Sequence, residues 1–262
     1  MTLYKLLPRL VVLISLSVLC GCSSVAEKKS ATCNQNHTIQ ATYYFQTSAE
    51  NAALYHQGFN IAKNRIDEIM KEKHDKQPAV VLDIDETVLD NSPFQVESIH
   101  VGEPYSEERW GNWVKKEIAK PVPGGVDFIK YALDKGIAVV FITNRSEKYL
   151  EATLRNMKAL GFPELPAENY YFRTNESDKT KRRAAVSEKY NIQLLMGDNL
   201  SDFSEVFENR AENYGMLAVE TNKLEFGKRF IAFPNPTYGD WQKSALAVKD
   251  SCTSEVMLKR LR

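Results

Sequence analysis

Short apolar segments alternate with helical segments along the central part of this chain. Apolar runs lie at 78–82, 137–142 and 192–196, and each has the length of a strand that is buried on both faces of a parallel sheet. Further strands are predicted at 169–173 and 216–219, and the helices predicted between the strands are 126–135, 147–160, 179–190 and 201–213. This order predicts an α/β fold with a doubly wound parallel sheet, whose strand ends form a ligand-binding edge.

Two segments lie outside this alternation. Residues 47–50 read Thr-Ser-Ala-Glu, a capping box in which Thr47 bonds forward and Glu50 bonds back, and apolar residues at helical spacing follow it to Met70. We therefore predict a long amphipathic helix that packs on the domain. Residues 91–123 interrupt the pattern with aromatic residues among charges, and we expect a small helical cap over the sheet edge, to which the C-terminal tail contributes.

The first 21 residues have the pattern of a bacterial export signal. Lys5 and Arg9 precede a mostly apolar run at 10–19, which is too short for a membrane span. Residues 19–22, Leu-Cys-Gly-Cys, resemble the processing box of bacterial lipoproteins, which implies that Cys22 is lipidated and that residues 1–21 are removed. Cys20 fits less well because Ser17 would take the leucine position, and an ordinary secretory signal stays open as the alternative.

This pattern predicts an exported protein that is anchored to a membrane by lipid. Ser23, rather than an aspartate, follows Cys22, and in a Gram-negative cell this resembles lipoproteins of the outer membrane. In a Gram-positive cell the anchor would lie in the cell membrane. Several acyl chains hold a protein stably, whereas one chain binds only marginally. Residues 22–42 are expected to be the lipidated N-terminus and a polar tether, since 27–40 lacks periodicity, and 43–262 the folded domain.

Two other cysteines, Cys33 and Cys252, would remain after processing of the signal. In an exported protein two remaining cysteines favour a disulfide, which here would join the N-terminal arm to the C-terminal tail. Two free thiols stay open as the alternative.

The charges of the chain balance. Lysine plus arginine and aspartate plus glutamate each number 34, which gives a net charge of +0. Binding to a nucleic-acid polymer requires a basic surface, so this composition argues against such a partner. It is compatible with a small phosphorylated ligand in a local positive pocket, and a homodimer stays open.

Acidic and polar side chains converge on the predicted sheet edge. They follow the strands at 78–82, 137–142 and 192–196, or open the helix before the last of these: Asp83, Asp85, Thr143, Lys179, Asp198 and Asp202. Clustered carboxylates repel one another, and burying an unpaired charge is costly. A hard divalent cation offsets this repulsion, and an oxygen-rich site that uses few carboxylates selects Mg²⁺. One carboxylate then stays free to attack phosphorus and form an acyl-phosphate.

Five segments carry a family resemblance. They are DIDETVLDNSP at 83–93, VPG at 122–124, TNR at 143–145, GDNLSDF at 197–203 and NPTYGDW at 235–241. Together they resemble the haloacid dehalogenase-like phosphatases, and more narrowly the class C bacterial acid phosphatases, which are surface lipoproteins with 5′-nucleotidase activity. The resemblance covers nearly the whole mature chain. It implies a Rossmann-like core with a cap and a Mg²⁺-dependent acid phosphatase activity.

The resemblance also implies roles for the acidic residues. Asp83 would be the nucleophile, and Asp85 would protonate the leaving oxygen and then activate water. Mg²⁺ would be held by Asp83, Asp198 and the backbone carbonyl of Asp85, with Asp202 as a direct ligand or a supporting residue. A capping role for Asp202 in the helix that follows it stays open.

Two further residues would hold the phosphoryl oxygens as charge shifts in the transition state. By the same resemblance these are Thr143 and Lys179. Lys181 stays open as an alternative lysine, although Lys179 fits the spacing of the family better.

The substrate that the resemblance implies is a mononucleotide, either a nucleoside 5′-monophosphate or nicotinamide mononucleotide. Aromatic rings sandwich the base in this family, and Trp110 and Tyr238 lie at the matching positions, although simple packing in the cap stays open for both. Stacking contributes about 1–3 kcal/mol per base. Asn91, Asn144 and Arg145 are the other expected substrate contacts, with a turn role for Asn91 and a surface position for Arg145 as alternatives.

Two other functions stay open. A surface lipoprotein could capture haem or another cofactor, for which His, Met, Cys or Tyr would supply ligands, but the histidines are scattered in polar stretches: His37, His56, His74 and His100. A phosphotransferase could use the same nucleophile and pass the phosphoryl group to an alcohol instead of water.

Overall fold

The structure is a computed structural model that describes residues 29–210 and 213–242, with side chains from residue 38 onward. The strands are β1 (Pro78–Leu82), β2 (Leu89–Asp90), β3 (Lys120–Pro121), β4 (Ala138–Ser146), β5 (Tyr170–Arg173), β6 (Asn191–Gly197) and β7 (Phe230–Ala232). The α-helices are α1 (Lys29–Thr47), α2 (Ala49–Ile69), α3 (Ser92–Val101), α4 (Glu107–Lys116), α5 (Gly125–Asp134), α6 (Leu150–Ala159), α7 (Thr180–Lys189) and α8 (Met216–Thr221).

Five strands form one parallel sheet in the order β5-β4-β1-β6-β7. Val80 in the central strand β1 pairs with Val139 of β4 on one side and with Leu194 of β6 on the other. The chain runs outward from β1 to β5 and then returns to β6, so the direction of winding reverses between β1 and β6. The predicted doubly wound α/β fold is therefore confirmed.

Both faces of this sheet are covered, which explains why β1 is apolar without alternation. Val80 packs with Phe59 of α2 and Phe128 of α5 in a core on one face. Val81, the next residue, points to the other face, where it packs with Val186 of α7.

Helix α2 begins one residue later than the sequence predicts. Ser48, not Thr47, is the capping residue, and its hydroxyl accepts a hydrogen bond from Asn51 N at 3.1 Å. Thr47 is instead the last residue of α1, where its hydroxyl donates to Tyr43 O at 2.7 Å. The predicted amphipathic helix itself is present, and it buries one apolar face against the sheet.

The segment predicted as a helical cap contains α3 and α4. The short antiparallel pair of β2 and β3 closes its base, where Asp90 pairs with Lys120. Gly111 brings α4 close to the core, because a Cβ atom at this position would lie 2.1 Å from the hydroxyl oxygen of Tyr149.

The polar segment predicted as a tether differs from the structure, because α1 starts at Lys29 and is continuous with the folded part of the chain. It packs against α3, and Gln46 Nε2 donates to Ser92 Oγ at 3.0 Å. Thr38, Thr42 and Phe45 are buried. Because two of these three residues are polar, the helix shows no apolar periodicity.

Two predictions after β6 are wrong. The helix predicted at 201–213 is replaced by separate 3₁₀ turns at 200–202 and 205–207, because Ser204 between them is extended, with ψ 154. The strand predicted at 216–219 is helix α8, whose residues are all at least partly exposed; an apolar run this short does not distinguish a strand from a helix. The fifth strand is β7, which has only three residues and was missed.

Several N- and C-terminal predictions fall outside the described residues. Cys22, Cys252 and the side chain of Cys33 belong to this group, as does the signal segment 1–21. Among the helices that the structure describes, none has the length and apolar character needed to cross a membrane.

Candidate active site

A cavity of about 560 Å³ lies between the cap and the edge formed by the ends of β1, β4 and β6. Residues predicted from all three strand ends line it. Lining residues at the sheet edge include Asp83, Asp85, Asn144, Arg145, Lys179, Asp198 and Asp202. Lining residues of the cap and the C-terminal segment include Phe94, Tyr105, Trp110, Tyr238 and Gln242.

Three carboxylates meet at the sheet edge. One oxygen each from Asp83, Asp198 and Asp202 lies within 4.8 Å of the others. Asp202 reaches this position because Gly197 has no side chain: a Cβ atom there would lie 2.3 Å from Asp202 Oδ2. Asp202 Oδ2 also accepts a hydrogen bond from Asn199 N at 3.0 Å and so caps the 3₁₀ turn at 200–202 to which it belongs. The next turn is capped by Ser204, not by Asp202.

Lys179 neutralises part of this negative charge. Its Nζ contacts Asp83 Oδ1 and lies 2.6 Å from Asp202 Oδ1, and the lysine is buried just before the first residue of α7. Lys181, the alternative lysine, has a side chain that is 82% exposed and pairs with Glu176. The geometry therefore favours Lys179 as the lysine of the site.

Two carboxylates of the cluster, Asp83 and Asp198, have raised pKa values. Burial raises the pKa of Asp83 to about 7, although Lys179 opposes the shift, and Asp202 adds to it. Burial also raises the pKa of Asp198 well above its usual range, with Asp202 and Asp83 contributing. Burial disfavours the charge of Lys179, but the attraction of Asp202 and Asp83 outweighs this and raises its pKa. The single positive charge of Lys179 therefore does not balance the negative charge of the cluster.

This donor set fits a hard divalent cation. The three clustered side chains offer only oxygen, and they lie close enough to share one ion. The raised pKa values of Asp83 and Asp198 indicate that the negative charge there is incompletely compensated. The side chain of Asp85 lies apart from this cluster because Arg145 and Asn91 bind it. The predicted metal ligand from Asp85 is its backbone carbonyl, not its side chain, and this role stays a prediction.

Arg145 was expected on the surface or in contact with substrate. The structure buries it, which excludes the surface position, and it lines the cavity, so a substrate contact stays a prediction. Its Nε donates to Asp85 Oδ1 at 2.9 Å, and Asn91 Nδ2 donates to the same oxygen at 2.8 Å. Asn91, which is completely buried at the start of α3, also accepts from Trp113 Nε1 at 2.9 Å. Arg145 and Asn91 therefore belong to a buried network around Asp85.

Thr143, like Asn91, is completely buried. Its Oγ1 accepts a hydrogen bond from Arg145 N at 3.1 Å, and among the described residues it is not part of the cavity lining. Its predicted contact with phosphoryl oxygens stays a prediction. Asn144 is exposed at the rim, where its Oδ1 accepts from Arg182 Nη2 at 2.7 Å. Arg182 also donates to Thr143 O at 2.6 Å.

The cap end of the cavity is aromatic. The Trp110 ring lies edge-on to Phe94, with 5.3 Å between the ring centroids, and 6.4 Å from Tyr105. Tyr238 lines the cavity from the C-terminal segment, and its hydroxyl donates to Glu86 Oε2. The two residues predicted to stack on a base, Trp110 and Tyr238, thus both face the same cavity.

Asn235, for which the sequence predicts no role, supports the carboxylate cluster. Its Nδ2 donates to Asp198 Oδ2 at 2.7 Å, while its Oδ1 accepts from Thr237 N and Tyr238 N in a local turn. The signal that could have found it is the NPTYGDW segment, in which Asn precedes a turn.

The comparisons with known proteins agree with this geometry. The family model described as HAD superfamily, subfamily IIIB (Acid phosphatase), matches residues 12–241, so the chain belongs to this family of phosphomonoesterases. Its structure is similar to that of the class C acid phosphatase from Bacillus anthracis, with a TM-score of 0.81 and 36% identity over 88% of this chain and 98% of that one. A second structure of that enzyme, with tungstate bound, matches equally well.

More distant relatives occur in plants. Acid phosphatase 1 from Solanum lycopersicum is 27% identical over 128 residues, which cover 47% of this chain and 50% of the relative. Vegetative storage protein 1 from Arabidopsis thaliana is 25% identical over 141 residues, covering 51% and 52%. The chain spans about half the length of these curated relatives.

Proposed function

We propose that this protein is a Mg²⁺-dependent acid phosphatase that hydrolyses nucleoside 5′-monophosphates and nicotinamide mononucleotide through an aspartyl-phosphate on Asp83. The observation that carries the proposal is the cavity itself. A carboxylate cluster with a buried lysine and several aromatic rings line the same cavity. A phosphate ester of an aromatic nucleoside offers a partner to each of these two groups. Family membership supports the reaction class.

The phosphoryl group would bind at the sheet edge. Asp83, Asp198, Asp202 and the backbone carbonyl of Asp85 would hold Mg²⁺, which when bound screens the repulsion between the attacking carboxylate and the anionic phosphate. Lys179 would pair with the phosphoryl oxygens, because its ammonium group already lies between Asp83 and Asp202. The tungstate-bound Bacillus anthracis enzyme supports a tetrahedral oxyanion as the ligand of this fold.

Asp83 and Asp85 would divide the chemistry between them. An oxygen of Asp83 attacks phosphorus, the bond to the leaving oxygen breaks, and Asp85 supplies the proton that this oxygen needs. Asp85 then takes a proton from the water that hydrolyses the aspartyl-phosphate, and Asp83 is released as a carboxylate. Both residues line the cavity, as these roles require.

The leaving group would lie against the cap. Trp110 and Tyr238 line the cavity from the cap and from the C-terminal segment. Phe94, edge-on, and Tyr105, tilted, pack against the Trp110 ring. Stacking tolerates different bases because every base has an aromatic face. We therefore expect a preference for nucleotides over simple alkyl phosphates without a strong preference among bases.

A phosphate-release screen tests the proposal. Purified protein is assayed on the nucleoside 5′-monophosphates, nicotinamide mononucleotide and glycerol phosphate, with Mg²⁺ and with EDTA. We expect Mg²⁺-dependent release, EDTA inhibition, and faster turnover of the aromatic substrates. Asp83→Asn should abolish release while the circular dichroism spectrum is unchanged, and near-normal activity of this variant would refute the mechanism. An added alcohol that diverts phosphate into a new ester would identify a phosphotransferase instead.

We propose that the protein is exported and held to a membrane by acyl chains on Cys22, the outer membrane in a Gram-negative cell and the cell membrane in a Gram-positive cell. The support is the sequence pattern at 1–22, with basic residues, a short apolar run and the processing box. Labelling of cells with radioactive palmitate tests it. The full-length chain should incorporate label and partition with membranes, and Cys22→Ala should do neither. Label retained by Cys22→Ala would assign the lipid to another residue.

A further inference from the structure

Among the described residues, the contacts of the Asp85 carboxylate converge on one of its two oxygens. Arg145 Nε and Asn91 Nδ2 donate to Oδ1, and Arg145 Nη2 lies 2.8 Å from the same atom. These contacts converge on Oδ1 and leave Oδ2 for a ligand in the cavity that Asp85 lines. A carboxylate oxygen that already accepts two hydrogen bonds is a poor place for a proton, because the proton would face N–H groups.

Arg145 is itself fixed in place. Its side chain is 1% exposed. Its Nη1 donates to Thr153 Oγ1 at 3.0 Å, and its Nη2 donates to Asn91 Oδ1 at 3.1 Å. All three guanidinium nitrogens thus have protein partners, which is the arrangement of a structural clamp rather than of a free phosphate-binding arginine.

The same network joins Asp85 to the cap. Asn91 precedes α3, and its side chain accepts from Trp113 Nε1 of α4 while it donates to Asp85. The guanidinium of Arg145 also lies 5.6 Å from the centroid of the Trp110 ring. A residue at the end of β1 therefore takes its orientation from β4 and from both cap helices.

We propose that Arg145, with Asn91, is a positioning residue for proton transfer: the two side chains hold Asp85 Oδ1 and leave Oδ2 to carry the proton to the leaving oxygen. The inference rests on the proposed function, in which Asp85 is the acid. When the P–O bond breaks, its electron pair stays on the leaving oxygen, which takes the proton from Oδ2. Asp85 becomes a carboxylate paired with Arg145, and Oδ2 later accepts a proton from the attacking water.

The leaving group provides the test. A nucleoside 5′-monophosphate releases an alkoxide that needs a proton, whereas 2,4-dinitrophenyl phosphate releases a stable phenolate that does not. We compare kcat/KM, which covers the steps up to departure of the leaving group, for the wild type, Arg145→Met and Asp85→Asn, each with Mg²⁺. We expect Arg145→Met to lower kcat/KM for the nucleotide by about 100-fold and for the dinitrophenyl ester by less than about 5-fold, as a general acid contributes about 10²–10⁴-fold.

Two controls separate this role from others. Asp85→Asn should show the same selective loss, whereas Lys179→Met should lower both values together because it binds the phosphoryl group. If Arg145→Met does not fold, as judged by circular dichroism, Arg145→Lys is used instead. This variant keeps the positive charge but loses the several N–H donors of the guanidinium group. We therefore expect a smaller decrease in kcat/KM, of about 10-fold, that is still confined to the nucleotide.

Equal losses on both esters with a raised KM would overturn the proposal and make Arg145 a substrate-binding residue. An unchanged kcat/KM for the nucleotide in Arg145→Met or in Arg145→Lys would also overturn the proposal. Failure of the wild type to hydrolyse either ester would instead refute the proposed function, and the positioning role with it, so that the two failures are distinguishable.

Discussion

The ammonium group of Lys179 lies 2.6 Å from Asp202 Oδ1 and also contacts Asp83. These carboxylates follow different strands, β6 and β1, and the lysine comes from the loop before α7. One buried cation therefore ties together three separate parts of the sheet edge. Removing one partner of a buried ion pair costs about 3–5 kcal/mol, because the remaining charge is left unpaired.

Lys179→Met should therefore affect stability and catalysis together. In the metal-free protein we expect the free energy of unfolding to fall by about 3–5 kcal/mol. We expect kcat for phosphate release to fall by about 10²–10³-fold, as for loss of an oxyanion-stabilising donor. Urea unfolding and a phosphate-release assay measure the two effects. Lys181→Met is the matched control and should change neither, since Lys181 is exposed. A large effect of Lys181→Met alone would reverse the choice of lysine.

Asn235 should control the metal affinity. Its Nδ2 donates to Asp198 Oδ2 at 2.7 Å, and groups that orient metal ligands in this way typically change affinity by about 10–100-fold when they are removed. We expect Asn235→Ala to raise the Mg²⁺ concentration for half-maximal activity by this factor, while saturating Mg²⁺ restores much of the rate. Asn222→Ala is the control, because the Asn222 side chain donates to Ala218 O of α8 at 2.8 Å. A lower rate at all Mg²⁺ concentrations with unchanged affinity would contradict the prediction.

Signals that lie close together in the sequence predicted the core of the site. The apolar strand before Asp83 requires both sheet faces to be covered, and parallel strands bring their ends to one edge. Asp83, Asp198 and Asp202 were therefore predictable as neighbours without knowledge of any contact between them.

Contacts between distant segments could not be predicted in this way. Asn235 binds Asp198 across 37 positions, and Arg145 binds Asp85 across 60, and neither pairing leaves a local pattern. Arg145 therefore looked like a surface or substrate-binding charge. Helix α1 was missed for a related reason, because it buries Thr38 and Thr42 rather than an apolar stripe.

Gly197→Ala tests the close approach of Asp202 to β6. A Cβ atom at residue 197 would lie 2.3 Å from Asp202 Oδ2, so the carboxylate must move out of the cluster. Such overpacking costs about 1–3 kcal/mol of stability. We expect the free energy of Mg²⁺ binding to change by a larger fraction than the free energy of unfolding. Isothermal titration with Mg²⁺ and thermal unfolding measure these effects. Gly161→Ala is the comparison, since it has a positive φ but open space around it, and it should lower stability without changing Mg²⁺ binding. Equal Mg²⁺ affinity in both variants would refute this account.

Phe45→Ala tests whether α1 belongs to the folded domain. Phe45 is buried and packs edge-on against Tyr55 of α2, with 6.1 Å between the ring centroids. Truncating a buried phenylalanine costs about 3–5 kcal/mol, and we expect a loss of this size in the free energy of unfolding by urea. Tyr43→Ala is the matched control, because Tyr43 lies on the same helix with 70% of its surface exposed and should change stability by less than about 0.5 kcal/mol. If α1 were a detached tether, neither variant would change the stability. If α1 is docked on the domain, only Phe45→Ala should be destabilising. Because α1 packs on α3, Phe45→Ala should also weaken nucleotide binding.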